Sequence, residues 1–124
     1  MPFINDEVLD QGLDYADTNG TRIDICSQEP TTYSEATTDG TFSLGNKTGL
    51  NTGTTEAGST DGRRVIVPAI TDGTVTETGT ATHWALTDGS AVLIAAGALS
   101  GSQAVTDGNP FKLDAISITI RDVV

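Results

Sequence analysis

The sequence predicts a mainly β protein: an antiparallel β-sandwich or barrel, jelly-roll-like, with one short N-terminal helix and a long Gly/Thr-rich loop or arm. Three observations carry that prediction. Short runs alternate apolar and polar residues with the period of a strand, as in Thr21–Ser27 and Phe111–Arg121. Asp-Gly pairs, which favour turns needing positive φ, occur at Asp39, Asp61, Asp72, Asp88 and Asp107. Thr and Gly are abundant while aromatic residues make up only 5% of the 124 positions, a composition that suits many turns rather than a helical bundle. The Asp-Gly spacings are irregular, so the pairs read as independent turns rather than as a repeat.

Asn5–Asp17 is the one helix expected. Asn5 can cap it, Asp6 and Glu7 suit the positive end of its dipole, and Asn19-Gly20 stops it. Leu9, Leu13 and Ala16 form its apolar stripe, and Phe3 and Ile4 could anchor its start. Thr21–Ser27 follows as a strand. Residues 28–62 then carry few large apolar side chains, only Tyr33, Phe42, Leu44 and Leu50, and read as a loop-rich arm or insertion on a single domain spanning 1–124. Arg63–Ile70 is expected to be a strand, Thr71–Thr74 a turn, and Thr74–Thr80 a sheet edge.

The central hairpin is expected around Asp88-Gly89 as a two-residue turn. That register pairs Trp84 with Leu93 and puts Thr82, Trp84, Leu86, Ala91, Leu93 and Ala95 on a core face. Trp84 should then be largely buried, and His83, Ala85, Val92 and Ile94 should face the other way. The last strand, Phe111–Arg121, changes the parity of its apolar residues at Ala115-Ile116, which predicts a β-bulge there.

Chemistry is sparse. The net charge of −11 argues against nucleic acid and against an anionic membrane as partners, since both need clustered Lys and Arg. Cys26 is the single cysteine, so neither an internal disulfide nor a cysteine zinc site is available. No leader, membrane span, nucleophile elbow or phosphate loop can be read around His83, Lys47 or Lys112. Asp14, Asp17 and Asn19 imitate part of a calcium loop without completing it, so no metal, cofactor or catalytic residue is assigned.

Asn5-Asp-Glu-Val-Leu-Asp-Gln-Gly-Leu-Asp-Tyr-Ala, Ile23-Asp-Ile-Cys-Ser-Gln-Glu-Pro-Thr-Thr-Tyr, Leu44-Gly-Asn-Lys-Thr-Gly and Gly79-Thr-Ala-Thr-His-Trp-Ala-Leu together resemble small virion proteins of tailed bacteriophages. The resemblance spans nearly the whole chain and implies a virion structural role without enzymatic residues. A capsid decoration or cement protein is the leading expectation, bound to the major capsid protein or other virion proteins as a homo-oligomer, with a trimer favoured. A tail, neck or fibre component is the alternative, and a carbohydrate-binding β-sandwich using Trp84, Tyr33 or Tyr15 is a third reading. Ala85, Val92, Ile94, Tyr33, Phe42 and Leu50 are the candidate interface residues. Between Glu77 and Asp107 the only formal charge is Asp88, which points to the hairpin as a contact surface.

Overall fold

A computed structural model describes residues 6–50, 55–57 and 62–120. The protein is mainly β and antiparallel, with a short N-terminal helix and a larger sheet that curls into half a barrel. The elements run α1 (Asp6–Asn19), β1 (Arg22–Cys26), α2 (Tyr33–Thr37), β2 (Ser43–Lys47), β3 (Glu56–Ala57), β4 (Arg63–Val67), β5 (Ile70–Val75), β6 (Gly79–Thr87), β7 (Leu93–Val105), β8 (Pro110–Leu113) and β9 (Ile116–Ile120). Six strands form the larger sheet in the order β7-β6-β1-β2-β5-β8, and three form the smaller in the order β3-β4-β9.

The two sheets are joined by a ribbon of two strands that bends as one. β4 runs into β5 through Pro68-Ala69, and β8 runs into β9 through Asp114-Ala115. Val67 pairs with Ile116 in the smaller sheet, and Ile70 pairs with Leu113 in the larger. The parity change in the last strand is therefore a change of sheet rather than a bulge within one strand. It lets Phe111 and Leu113 reach the same interior as Ile116 and Ile118. Arg63–Ile70, expected as one strand, is divided for the same reason, and Pro68 cannot supply the amide that an unbroken ladder would need there.

The expected turn at Thr71–Thr74 is instead part of β5. Two residues, Thr71 and Asp72, stand opposite Lys112 alone between the pairs Ile70–Leu113 and Gly73–Phe111, which is a β-bulge. Gly73 is buried at this point because the Phe111 ring lies against its Cα, where any side chain would overlap it. Thr74 and Val75 consequently lie between β2 and β8 and not at a sheet edge. The chain turns at Thr76–Thr78, where the Thr76 and Glu77 amides donate to the Leu44 carbonyl at 2.8 and 3.1 Å.

The hairpin also departs from its expected register. Thr87 pairs with Leu93, Leu86 with Ala95 and Trp84 with Gly97, so the loop runs from Asp88 to Val92. One oxygen of the Asp88 carboxylate accepts the amides of Ser90, Ala91 and Val92 at 2.9, 2.8 and 3.0 Å, which supports a longer turn than Asp-Gly alone requires. Gly89 still adopts φ +78°. Trp84 and Leu86 face the interior as expected, with Ala95 opposite Leu86, but the extra residue at Ile94 reverses the sides of Leu93 and Ile94. Ile94 now packs against the core, and Leu93 lies on the opposite side with Ala85 and Ala96. Trp84 is half-buried rather than enclosed, its indole lying against the bare Cα of Gly97.

Residues 28–50 form no arm. α2 is capped by the Thr32 hydroxyl, which accepts the Glu35 amide at 3.1 Å, and it covers the outer face of the larger sheet at Cys26 and Ala85. β2 sits in the middle of that sheet, between β1 and β5, with Leu44 in the core. Of the stretch 51–62, only Thr55–Ala57 and Gly62 are among the described residues, and the expected Asn5 cap and Phe3-Ile4 anchor lie outside them. Leu13 and Ala16 of α1 pack on Val65, Ile94 and Ile118, at the smaller sheet.

The largest fully buried side chain is Phe111. Phe111→Ala should cost about 3–5 kcal/mol, and Trp84→Ala less because its side chain is only partly buried. Gly73→Val should destabilise as severely as Phe111→Ala. Urea denaturation of the three variants checks that order.

Candidate functional site

Because the larger sheet curls, its two edge strands face each other. β7 forms one lip of the resulting seam, and β8 with its continuation β9 forms the other. A cleft of about 540 Å³ opens between them, with Trp84, Ile70, Leu99 and Ile116 among its apolar lining and Thr71, Ser100, Gln103, Lys112 and Asp114 among its polar lining. The lip on the β7 side is broadened locally. Ala81 pairs with Gln103 and His83 with Ala98, so Leu99–Ser102 stand opposite Thr82 alone. Such bulges redirect side chains at barrel rims.

One hydrogen bond crosses the seam: the Gln103 side-chain amide donates to the Lys112 carbonyl at 3.1 Å. Among the described residues neither Lys112 nor Asp114 makes an ion pair, and the Trp84 indole N–H has no protein acceptor. An aromatic surface, a free N–H donor, a cation and a carboxylate therefore share one opening. The cleft can bind a chain or ligand that presents both apolar surface and hydrogen-bonding groups.

A second polar cluster lies beneath α2. Asp24 is fully buried and accepts a two-pronged contact from Arg22, at 2.7 and 2.9 Å, and the Ser43 hydroxyl at 2.7 Å. Arg22 also donates to the Thr37 carbonyl at 3.2 Å, tying the end of α2 to the sheet. Burial raises the Asp24 pKa above its ordinary value, with the Arg22 and Ser43 contacts opposing the rise. The bond to Asp24 raises Arg22 in turn. Cys26 is buried beside this cluster, and burial pushes its thiol up to about 12, with the Asp24 charge adding to the effect. A thiol so held is not a nucleophile at neutral pH. His83 Nδ1 lies 2.8 Å from the Thr82 hydroxyl, which donates to the Ser27 carbonyl at 2.9 Å.

The candidate interface residues do not form one surface. Ala85 is buried under α2, with Phe42 half-buried against the same group and Tyr33 half-buried on α2 itself. Ile94 and Leu50 pack on the core between the sheets, and Val92, 38% exposed, lies at the end of the hairpin loop. The hairpin's second strand, β7, lies across the seam from β8 and β9. The cleft itself escaped sequence reasoning, since it depends on how far the sheet curls. Among the described residues no group of three His, Cys, Asp or Glu is placed to hold a metal, and no helix is long and apolar enough to cross a membrane.

Two carboxylates should answer acid in opposite senses. Asp88 is held below its ordinary pKa by the backbone amides of Val92, Ala91 and Ser90. Its contribution is complete above the ordinary carboxylate range and is lost as pH falls through its lowered folded pKa. Asp24, raised by burial, contributes the other way: the fold gains from its protonation as pH falls through its raised pKa. Hydrogen-exchange protection of the Ser90, Ala91 and Val92 amides should therefore drop as pH falls through the lowered Asp88 pKa, and Asp88→Ala should reproduce the loss at neutral pH. The amides of β1 should keep their protection through the same titration.

No protein-family model, curated protein or solved structure matches this chain.

Proposed function

We propose that this chain is a non-enzymatic structural protein of a tailed-phage virion, a capsid decoration protein that binds the outer shell and stabilises it. The observation that supports the reading is β7, a 13-residue strand at a sheet edge with no charged residue anywhere from Leu93 to Val105. Soluble monomers ordinarily guard such edges with lysine, proline or a covering segment, because an open edge pairs with other chains. On a chain of net charge −11 this uncharged strand is the natural place for protein contact. The same charge disfavours contact with packaged DNA and favours the outside of a shell. The sequence resemblance to small virion proteins points the same way.

A second reading rests on Trp84, whose half-buried ring and unpartnered N–H could stack on and bond a sugar in the cleft.

Cryo-EM of the phage particle that carries this sequence tests the proposal. Density for the chain on the outer shell, in copy number proportional to the shell subunits, is the expected result. A few copies at the tail or neck would select the tail-component alternative, and absence from purified particles would overturn the virion role. Ala104 is exposed on β7. Ala104→Lys should leave the denaturation midpoint nearly unchanged and prevent incorporation into particles.

A further inference from the structure

From the geometry of the seam we infer that it is an acceptor site for one extended peptide strand of a neighbouring polypeptide. This deepens the proposed virion role and rests on it. Both lips are strand edges whose outward backbone groups have no ladder partner. Their separation follows from the bond that crosses it. A glutamine amide nitrogen stands at most about 5 Å from its own Cα, and here it reaches the Lys112 carbonyl at 3.1 Å. The two backbones are thus at most about two strand spacings apart there, each spacing being roughly 4.8 Å, and no ladder joins β7 to β8. The four residues 106–109 that connect the two strands close one end of the gap. It has no room for a whole foreign sheet and takes no more than a single strand, entering from the open end.

The Gln103 contact also indicates what the lip accepts. A primary amide donates to the Lys112 carbonyl from the position an added strand's N–H would occupy, so the side chain stands in for a backbone amide. Small residues line the opening, namely Ala69, Ala98, Ser100, Gly101 and Ala115, and let a backbone approach closely. Alternate side chains of the incoming strand would point inward onto Trp84, Leu99 and Ile116, which calls for apolar residues there. The remaining side chains would face solvent beside a protein of charge −11, which favours neutral or basic residues over acidic ones. Insertion would convert the half-barrel into a more nearly closed one, removing its exposed edges.

The test uses the intact chain and an acetylated, amidated octapeptide of alternating valine and lysine, with binding followed by calorimetry and Trp84 fluorescence at high salt. Saturable binding with a blue shift is expected, and methylating the backbone nitrogens of alternate residues in one register should abolish it. Gly101 has open space on its side-chain side, so Gly101→Phe should fold normally, fill the cleft and weaken binding roughly tenfold or more. Gln103→Ala should strengthen binding several-fold, because the Lys112 carbonyl no longer has to exchange partners. Absence of saturable binding up to millimolar peptide would overturn the strand site. So would equal affinity for the methylated peptide, unchanged binding by Gly101→Phe, or no gain in Gln103→Ala. An empty seam in particle-bound protein would also overturn it while leaving the virion role standing. Peptide binding as described by a protein absent from particles would do the reverse.

Discussion

At Pro68-Ala69 and Asp114-Ala115 two paired strands leave one sheet and enter the other at the same level, and the shape of the molecule follows from that shared bend. Each strand has to present apolar side chains to a single interior on both sides of the corner. A strand that simply continued would turn its next residues outward, since its side chains alternate with period two. The unpaired residues at the corner reset that alternation, so Val67 and Ile70 both reach the core, as do Leu113 and Ile116 in the partner. The bend also sets where β8 and β9 leave their free edge, and the curl of the larger sheet brings that edge round to β7.

The outer face of the larger sheet is organised differently. Its centre holds a buried carboxylate, Asp24, where an apolar residue would have simplified the packing. Desolvating such a group is costly, and Arg22 and Ser43 offset that cost by occupying its oxygens. Arg22 then has a donor left for the end of α2. The result is a helix of one turn and a half that could not persist alone, held over Cys26 and Ala85 by one polar anchor and a small apolar patch. This pairing explains how a segment poor in large apolar residues is ordered by its own domain. Its attachment is largely polar.

Charge and edge protection divide the surface between them. Asp88 and Glu35 sit on a turn and a short helix, where they accept backbone amides. β6, β7 and β9 carry no charged residue, and of these β7 and β9 lie along the seam. Pro110 opens β8 without an N–H, a partial guard on that lip. The β7 lip has a bulge and no other guard. The contrast between so long a neutral edge and the acidic remainder is what supports the proposed role in assembly.

The local signals in the chain were legible where they act within a few residues. The N-terminal helix, β1, the turns at Asp39, Asp88 and Asp107, and the inward placement of Trp84 and Leu86 follow from capping, alternation and the φ preference of glycine. Even the parity change at Ala115-Ile116 was visible as a pattern. Its meaning was not, because a bulge and a change of sheet look alike in one strand and differ only in what lies opposite. The hairpin register was decided by three amides gathered on the Asp88 carboxylate, a choice between turn lengths that Asp-Gly alone leaves open. Asp72-Gly73 forms no turn: Thr71 and Asp72 make a bulge, and Gly73 pairs with Phe111, 38 residues further along the chain, whose ring takes the space above it. The seam is the clearest case. Its two lips are consecutive strands joined by the short turn 106–109, yet they stand at opposite ends of the six-strand order and are bridged by the Gln103 side chain rather than by a ladder. How far the sheet curls decides whether two such neighbours pair or stand apart.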